Sequence, residues 1–269
     1  MSISSTTPEF IPDVQNNVDQ RQILIDQVGI KQVKYPLKVA DGAGHHLATV
    51  GEWTLTVQLP ATKKGTHMSR FMALLSAYRQ QAFSVAVLED MATTMLDKLE
   101  ANQGQLEVSF TYFINKTAPV SGIQSLLDYQ VTLQAYASRE DGVKILKKVV
   151  VPVMTLCPCS KEISEYGAHN QRSHITVTLD QDGELALNEL IQALEIQGSS
   201  QLWSMLKRPD EKYVTEFSYN NPKFVEDLIR DVALQVQKLP QVNYYKIEVE
   251  NFESIHNHSA YAMLEGRAP

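Results

Sequence analysis

The chain has 269 residues, 43% hydrophobic and 20% charged, with a net charge of −7; that is a globular composition with room for one large domain or two smaller ones. The negative balance is spread along the chain and offers no basic field for a nucleic-acid backbone, so no nucleic-acid partner is expected and an anionic substrate needs a local basic pocket. No run of about eighteen apolar residues reads as a membrane span, and the polar, acidic start (MSISSTTPEFIPDVQNNVDQRQ) lacks the basic head and apolar centre of a signal peptide, so no membrane partner and a cytoplasmic location are expected.

Residues 1–22 read as a mobile lead-in, or an arm that orders on a partner. Ile30 to Val39 and Leu47 to Leu59 follow as strands, joined by a turn holding Gly42 and Gly44. In the second strand Trp53, Leu55, Val57 and Leu59 alternate onto one face. Pro60 to Met68 is a polar, basic loop, and Ser69 stands where a helix N-cap belongs. Phe83 to Glu100 reads as a second amphipathic helix, with Val85, Met91, Met95 and Leu99 near one face. Leu106 to Asn115, Leu127 to Ala137 and Val143 to Leu156 read as further strands.

The order then restarts: strand His174 to Asp180, helix Leu185 to Ile196, charged loop Lys207 to Lys212, helix Lys223 to Gln237, and strands Tyr244 to Glu250 and His258 to Leu264. The pattern is strands, helices, strands, twice, without a repeat in the sequence itself. Short turns join neighbouring strands, which predicts antiparallel sheets and an α+β fold.

The only cysteines, Cys157 and Cys159, are one residue apart, and a disulfide between them would close a small, strained ring. Two reduced thiols are therefore expected. They sit at the end of an apolar strand, where Pro158 stops the ladder, and His169 follows inside the polar stretch Ser164 to Ser173. Cysteine, histidine and carboxylate together suit zinc, manganese or iron, and ligand softness does not decide among them. The ordinary alternative for Cys-X-Cys is two small buried residues. The polar setting of Ser160, Lys161, Glu162, His169, Asn170 and Arg172 favours chemistry instead.

A second cluster spans Glu250 to His258, where an extended chain places His256 and His258 on one side and Glu253 on the other. Glu226, on the second half's last helix, has two oxygens that match the N1–H and exocyclic amine of guanine; a surface glutamate is the plain alternative. Cations for an anionic substrate are Lys63, Lys64, His67 and Arg70 in one loop, with Lys116 and Arg172 elsewhere; solvated loop charge is the plain alternative for each.

Seven stretches in order resemble the type IB GTP cyclohydrolases of folate and queuosine biosynthesis, a family of the tunnelling-fold superfamily. They are Lys64 to Phe71, Lys116 to Gly122, Leu156 to Ser164, Gly167 to Ser173, Lys207 to Glu216, Asn221 to Asp227 and Glu250 to Ala260. The resemblance runs from about Gln27 to near the C-terminus. It implies two similar halves (23–142 and 143–269, the second carrying most metal ligands), each an antiparallel sheet with two helices. It implies a homo-oligomer, a tetramer of stacked barrels, with active sites at subunit interfaces. The implied reaction takes GTP and water to 7,8-dihydroneopterin triphosphate and formate. Residue by residue, it implies Cys157 (rather than Cys159), His169 and Glu211 as metal ligands. His256 becomes a further ligand or proton carrier beside Glu253, and Glu226 the guanine anchor.

The corresponding mechanism is addition of hydroxide to guanine C8 with proton transfer to N7, ring opening, and a second hydrolysis that releases formate. Two rivals follow from the same residues. A nitrile reductase of the same fold uses a cysteine nucleophile and NADPH without a metal, which leaves His169 and Glu211 without a role. A non-catalytic assembly with a structural metal needs a closed, four-ligand site.

Overall fold

In a computed structural model, described here for residues 13–40, 46–184 and 186–267, β-strands and helices form two layers. The strands are β1 (Ile25–Ala40), β2 (His46–Leu59), β3 (Ala82–Phe83), β4 (Gln103–Thr117), β5 (Gln124–Ser138), β6 (Gly142–Leu156), β7 (Asn170–Gln181), β8 (Val242–Asn251) and β9 (Ala260–Gly266). The helices are α1 (Met68–Tyr78), α2 (Val85–Leu99), α3 (Pro158–Ile163), α4 (Leu187–Glu195), α5 (Arg208–Asn220) and α6 (Val225–Val236). The strands join in one nine-stranded sheet of order β3-β1-β2-β4-β5-β6-β7-β8-β9. Every pair is antiparallel except the short β1–β3 contact. The α+β expectation is borne out, in a single sheet that continues through the β5–β6 hairpin.

Alternation places the apolar residues. Trp53, Leu55, Val57 and Leu59 are buried on one face, as their spacing predicts. The same face of β4 to β8 supplies Leu106, Val131, Val151, Val177 and Ile247 to one core, against Leu88, Met95, Ile191, Leu228 and Val232 of the helices. Ser84 begins α2 by accepting the Val87 N–H at 3.2 Å.

Several local expectations are corrected. His67, not Ser69, is the residue before α1, and Ser69 lies inside the helix. The run Lys207 to Lys212 is not a loop: Arg208 and Pro209 open α5, with Asp210 and Glu211 in its first turn. The helix buries no apolar stripe, which is why its charged start resembles a loop in sequence; only Asp210 and Ser218 of it are buried. Two helices do join β2 to β4, but α4, α5 and α6 join β7 to β8, and α3 is a further turn. The described part of the lead-in is tied down: Val18 bridges Lys63, and the Lys64 and Gly65 N–H groups donate to Asn17 and Gln15 carbonyls. The Gly42–Gly44 turn lies outside the described residues.

Candidate active site at one end of the sheet

Register decides which residues meet. In the β6–β7 pair Leu156 faces Asn170, so Cys157 and His169 are the next residues past the ladder on each side. The Cys157 N–H donates to the His169 carbonyl at 3.1 Å. Cys157 is half-buried and precedes α3, whose Ser160 N–H points at its Sγ at 3.5 Å. Cys159 is exposed within α3. Both thiols are free.

The imidazole of His169 is held from behind. Its Nδ1 lies 3.1 Å from Gln171 Oε1 and 3.3 Å from Ser254 Oγ. Gln171 is buried and oriented by its own donation to Thr155 Oγ1 at 2.9 Å, and Thr155 bonds to Ser173 at 2.7 Å. With the Gln171 amide so oriented, Oε1 accepts a hydrogen bond from Nδ1–H. That leaves the Nε2 lone pair for a ligand. Sequence reading missed this chain because Thr155, Gln171 and Ser173 look like ordinary strand polars until the register stacks them.

Other elements converge on the same end. The Lys223 N–H donates to the Leu156 carbonyl at 3.0 Å, which sets the start of α6, with exposed Glu226 in its first turn, beside the end of β6. Helix α5 crosses the strand ends. Near its start Asp210 meets Val120 and Ser121 of the β4–β5 turn, and near its end the Tyr219 carbonyl accepts from Lys161 of α3. Glu211 is exposed at the first of these ends, eight residues before Tyr219, or about 12 Å along the helix axis.

The segment between β8 and β9 is a bend, not the extended strand expected for His256 and His258. Their rings nevertheless stack, with centroids 5.2 Å apart and planes at 14°. Glu253 is half-buried next to Ser254, which reaches His169.

The structure thus joins the backbones of Cys157 and His169, places Glu226, Glu253 and His256 on segments beside them, and leaves Glu211 at the far end of α5. Among the described residues of this one chain, no three His, Cys, Asp or Glu side chains come together at metal-binding separation. The donor set still fits a divalent ion in kind. A half-buried thiol and an imidazole with its Nδ1 already engaged are paired at one strand end, with carboxylates on adjoining segments.

The cation candidates separate. Arg172 is exposed on β7, three residues from His169. Lys116 is not a loop charge. It is buried on β4, with Nζ 2.8 Å from Glu195 Oε1, 3.0 Å from Gln201 Oε1 and over the Trp203 ring. Burial pulls its pKa down, and Glu195 opposes that pull. The loop of Lys63, Lys64, His67 and Arg70 lies at the opposite end of the sheet. Val57 of β2 aligns through Gly104 and Ala137 with Val143 at the start of β6, and Cys157 is about 45 Å further along that strand direction. There Lys63 and Arg70 face Glu100, and His67 faces Asp13.

A family model described as type I GTP cyclohydrolase folE2 matches residues 11–262. The chain belongs to the type I GTP cyclohydrolase FolE2 family. It is an enzyme of the GTP cyclohydrolase I type, converting GTP to dihydroneopterin triphosphate in folate biosynthesis, and both rival activities are set aside. GTP cyclohydrolase FolE2 of Bordetella avium is 57% identical over 256 residues, covering 95% of this chain and 96% of that one. The Burkholderia vietnamiensis protein of the same name is 55% identical over 264 residues, covering 98% and 97%. Among solved structures, uricase from Arthrobacter globiformis superposes with a TM-score of 0.52 at 8% identity, covering 90% of this chain and 93% of that one. Urate oxidase from Bacillus subtilis 168 gives 0.50 at 10% identity, covering 90% and 98%. At such identities the likeness speaks for the tunnelling fold of this cyclohydrolase and for nothing more. Among its described residues no helix is long and apolar enough to cross a membrane.

Proposed function

We propose that this GTP cyclohydrolase opens the guanine ring with a divalent ion (zinc, manganese or iron) held by Cys157, His169 and Glu211, with His256 as a further ligand or proton carrier. The observation that carries the assignment is the strand-end pairing of Cys157 with His169, whose Nδ1 is already engaged by Gln171. When bound, such an ion makes hydroxide available near pH 7. The chain's own residues do the rest. Glu226 accepts the N1–H and exocyclic amine of guanine through its two oxygens, which orients C8 toward the Cys157–His169 end. His256 delivers a proton to N7 as hydroxide adds to C8 and takes part in the second hydrolysis that frees formate. Glu253 stands beside it.

Subunit association completes the site in this proposal. Around the Cys157–His169 pair the apolar side chains of Ile163, Tyr166 and Ile255 are exposed, and Tyr213 and Phe217 of α5 stack on each other facing outward. Such surface is what an oligomer covers. A homotetramer built from two halves per chain, 23–142 and 143–269, brings a second copy's Lys63, Lys64, His67 and Arg70 loop within reach of the triphosphate. Arg172 contributes from the same chain. Lys116 is instead committed to Glu195.

The test is to strip the enzyme with a chelator, restore one metal at a time, and follow formate and pterin fluorescence from GTP. Loss on stripping and recovery on restoration is expected. Full turnover in the stripped enzyme removes the metal from the mechanism.

A further inference from the structure

The end of β4, its turn and the start of β5, from Lys116 to Leu126, have no part in the chemistry so far, yet they grip the segment that leads into α5. Lys116 Nζ donates to Gln201, the Trp203 indole N–H donates to the Thr117 carbonyl at 3.0 Å, and Ser204 Oγ donates to the Leu126 carbonyl at 2.6 Å. The tightest contact comes last. Asp210 is fully buried and accepts four hydrogen bonds: from the Val120 and Ser121 N–H groups at 2.8 Å each, from Ser121 Oγ at 2.6 Å, and from the Lys207 N–H at 2.8 Å. Its neighbour in the first turn of α5 is Glu211.

We propose that Asp210 is a positioning residue for metal binding: with Ser121 it clamps the start of α5 to the β4–β5 turn and so fixes where Glu211 enters the site. The inference rests on the assignment of Glu211 as a ligand. Its physical basis is that the first turn of this helix is held by polar contacts to one carboxylate, while Lys161 holds only its far end, at Tyr219. An ordinary helix is held by an apolar stripe, but α5 buries only Asp210 and Ser218. Hydrogen bonds to one carboxylate therefore set the place of its first turn, where Glu211 stands. Both carboxylate oxygens are used, so neither a longer acid nor an amide can satisfy all four donors in the same position. An exposed glutamate one residue away inherits any shift of the clamp.

The experiment measures zinc affinity by competition with a chelating dye, and the visible spectrum of the cobalt-substituted protein, on the full chain. Asp210→Glu keeps the charge and lengthens the side chain; Asp210→Asn keeps the size and removes two acceptor sites. Both are expected to weaken zinc binding about 10- to 100-fold and to change the cobalt spectrum. Leu88→Ala in the α2 core, destabilised but remote, keeps wild-type zinc affinity. If the Asp210 variants do not fold, Ser121→Ala, which removes one of the four contacts, carries the decision. Weaker zinc binding in it supports the clamp, and unchanged binding overturns it. Folded Asp210 variants with wild-type affinity and spectrum overturn the clamp while Glu211→Gln still loses zinc. Full zinc affinity in Glu211→Gln removes the ligand assignment, and the proposal with it.

Discussion

Replacing Glu195 by glutamine tests whether Lys116 is a structural cation or a substrate cation. Lys116 and Glu195 are 8% and 2% exposed, so neither is screened by water. The glutamate also accepts the Tyr129 hydroxyl at 2.6 Å. An amide keeps the shape and an acceptor for Tyr129 but leaves the ammonium buried without a counter-charge, which costs about 3–5 kcal/mol. That is a large part of a typical stability of roughly 5–15 kcal/mol, and it lowers the melting temperature by on the order of 10 °C in a chain of this size. Lys116→Met leaves the carboxylate stranded and costs a similar amount. The double variant, with no buried charge, is expected to be more stable than either single one. Urea unfolding at fixed protein concentration gives all three values. Single losses below about 1 kcal/mol that simply add in the double variant, as for a surface pair, refute the reasoning. The same proteins answer the functional question. Because the ammonium is committed to Glu195, folded Lys116→Met keeps the wild-type KM for GTP; a large rise in KM returns Lys116 to the triphosphate site.

Three further outcomes follow from single contacts. Burial, then the neighbouring Glu195, hold the Tyr129 pKa above its ordinary value. The folded state therefore keeps a proton that the unfolded chain releases above about pH 10, so this stability is present below pH 10 and lost as pH rises beyond it; urea midpoints across that range should fall less steeply in Tyr129→Phe, and equal slopes contradict the shift. Ser84→Ala removes the cap on α2 and should cost about 1 kcal/mol in urea unfolding, with no change in zinc affinity; a neutral result shows the cap is replaced by water. Gln171→Ala frees the His169 ring and should weaken zinc binding about 10- to 100-fold; unchanged affinity shows that Ser254 alone holds the ring.

The sequence by itself determined the alternating strands, the α+β class, the reduced thiols and the family, because period-two burial and ordered local motifs are properties of neighbouring residues. Cys157 and His169 were legible as candidates for the same reason. Their contact was not: it depends on Leu156 facing Asn170 across the β6–β7 ladder, and a pairing register is a long-range choice. Only the tertiary structure showed that Lys116 is buried against Glu195, that the basic loop of Lys64 and Arg70 lies at the far end of the sheet, and that a charged run is the start of α5. Each of those residues has the same local sequence whether it meets water, substrate or a buried carboxylate, and the partner that decides among them lies 28 to 90 positions away along the chain.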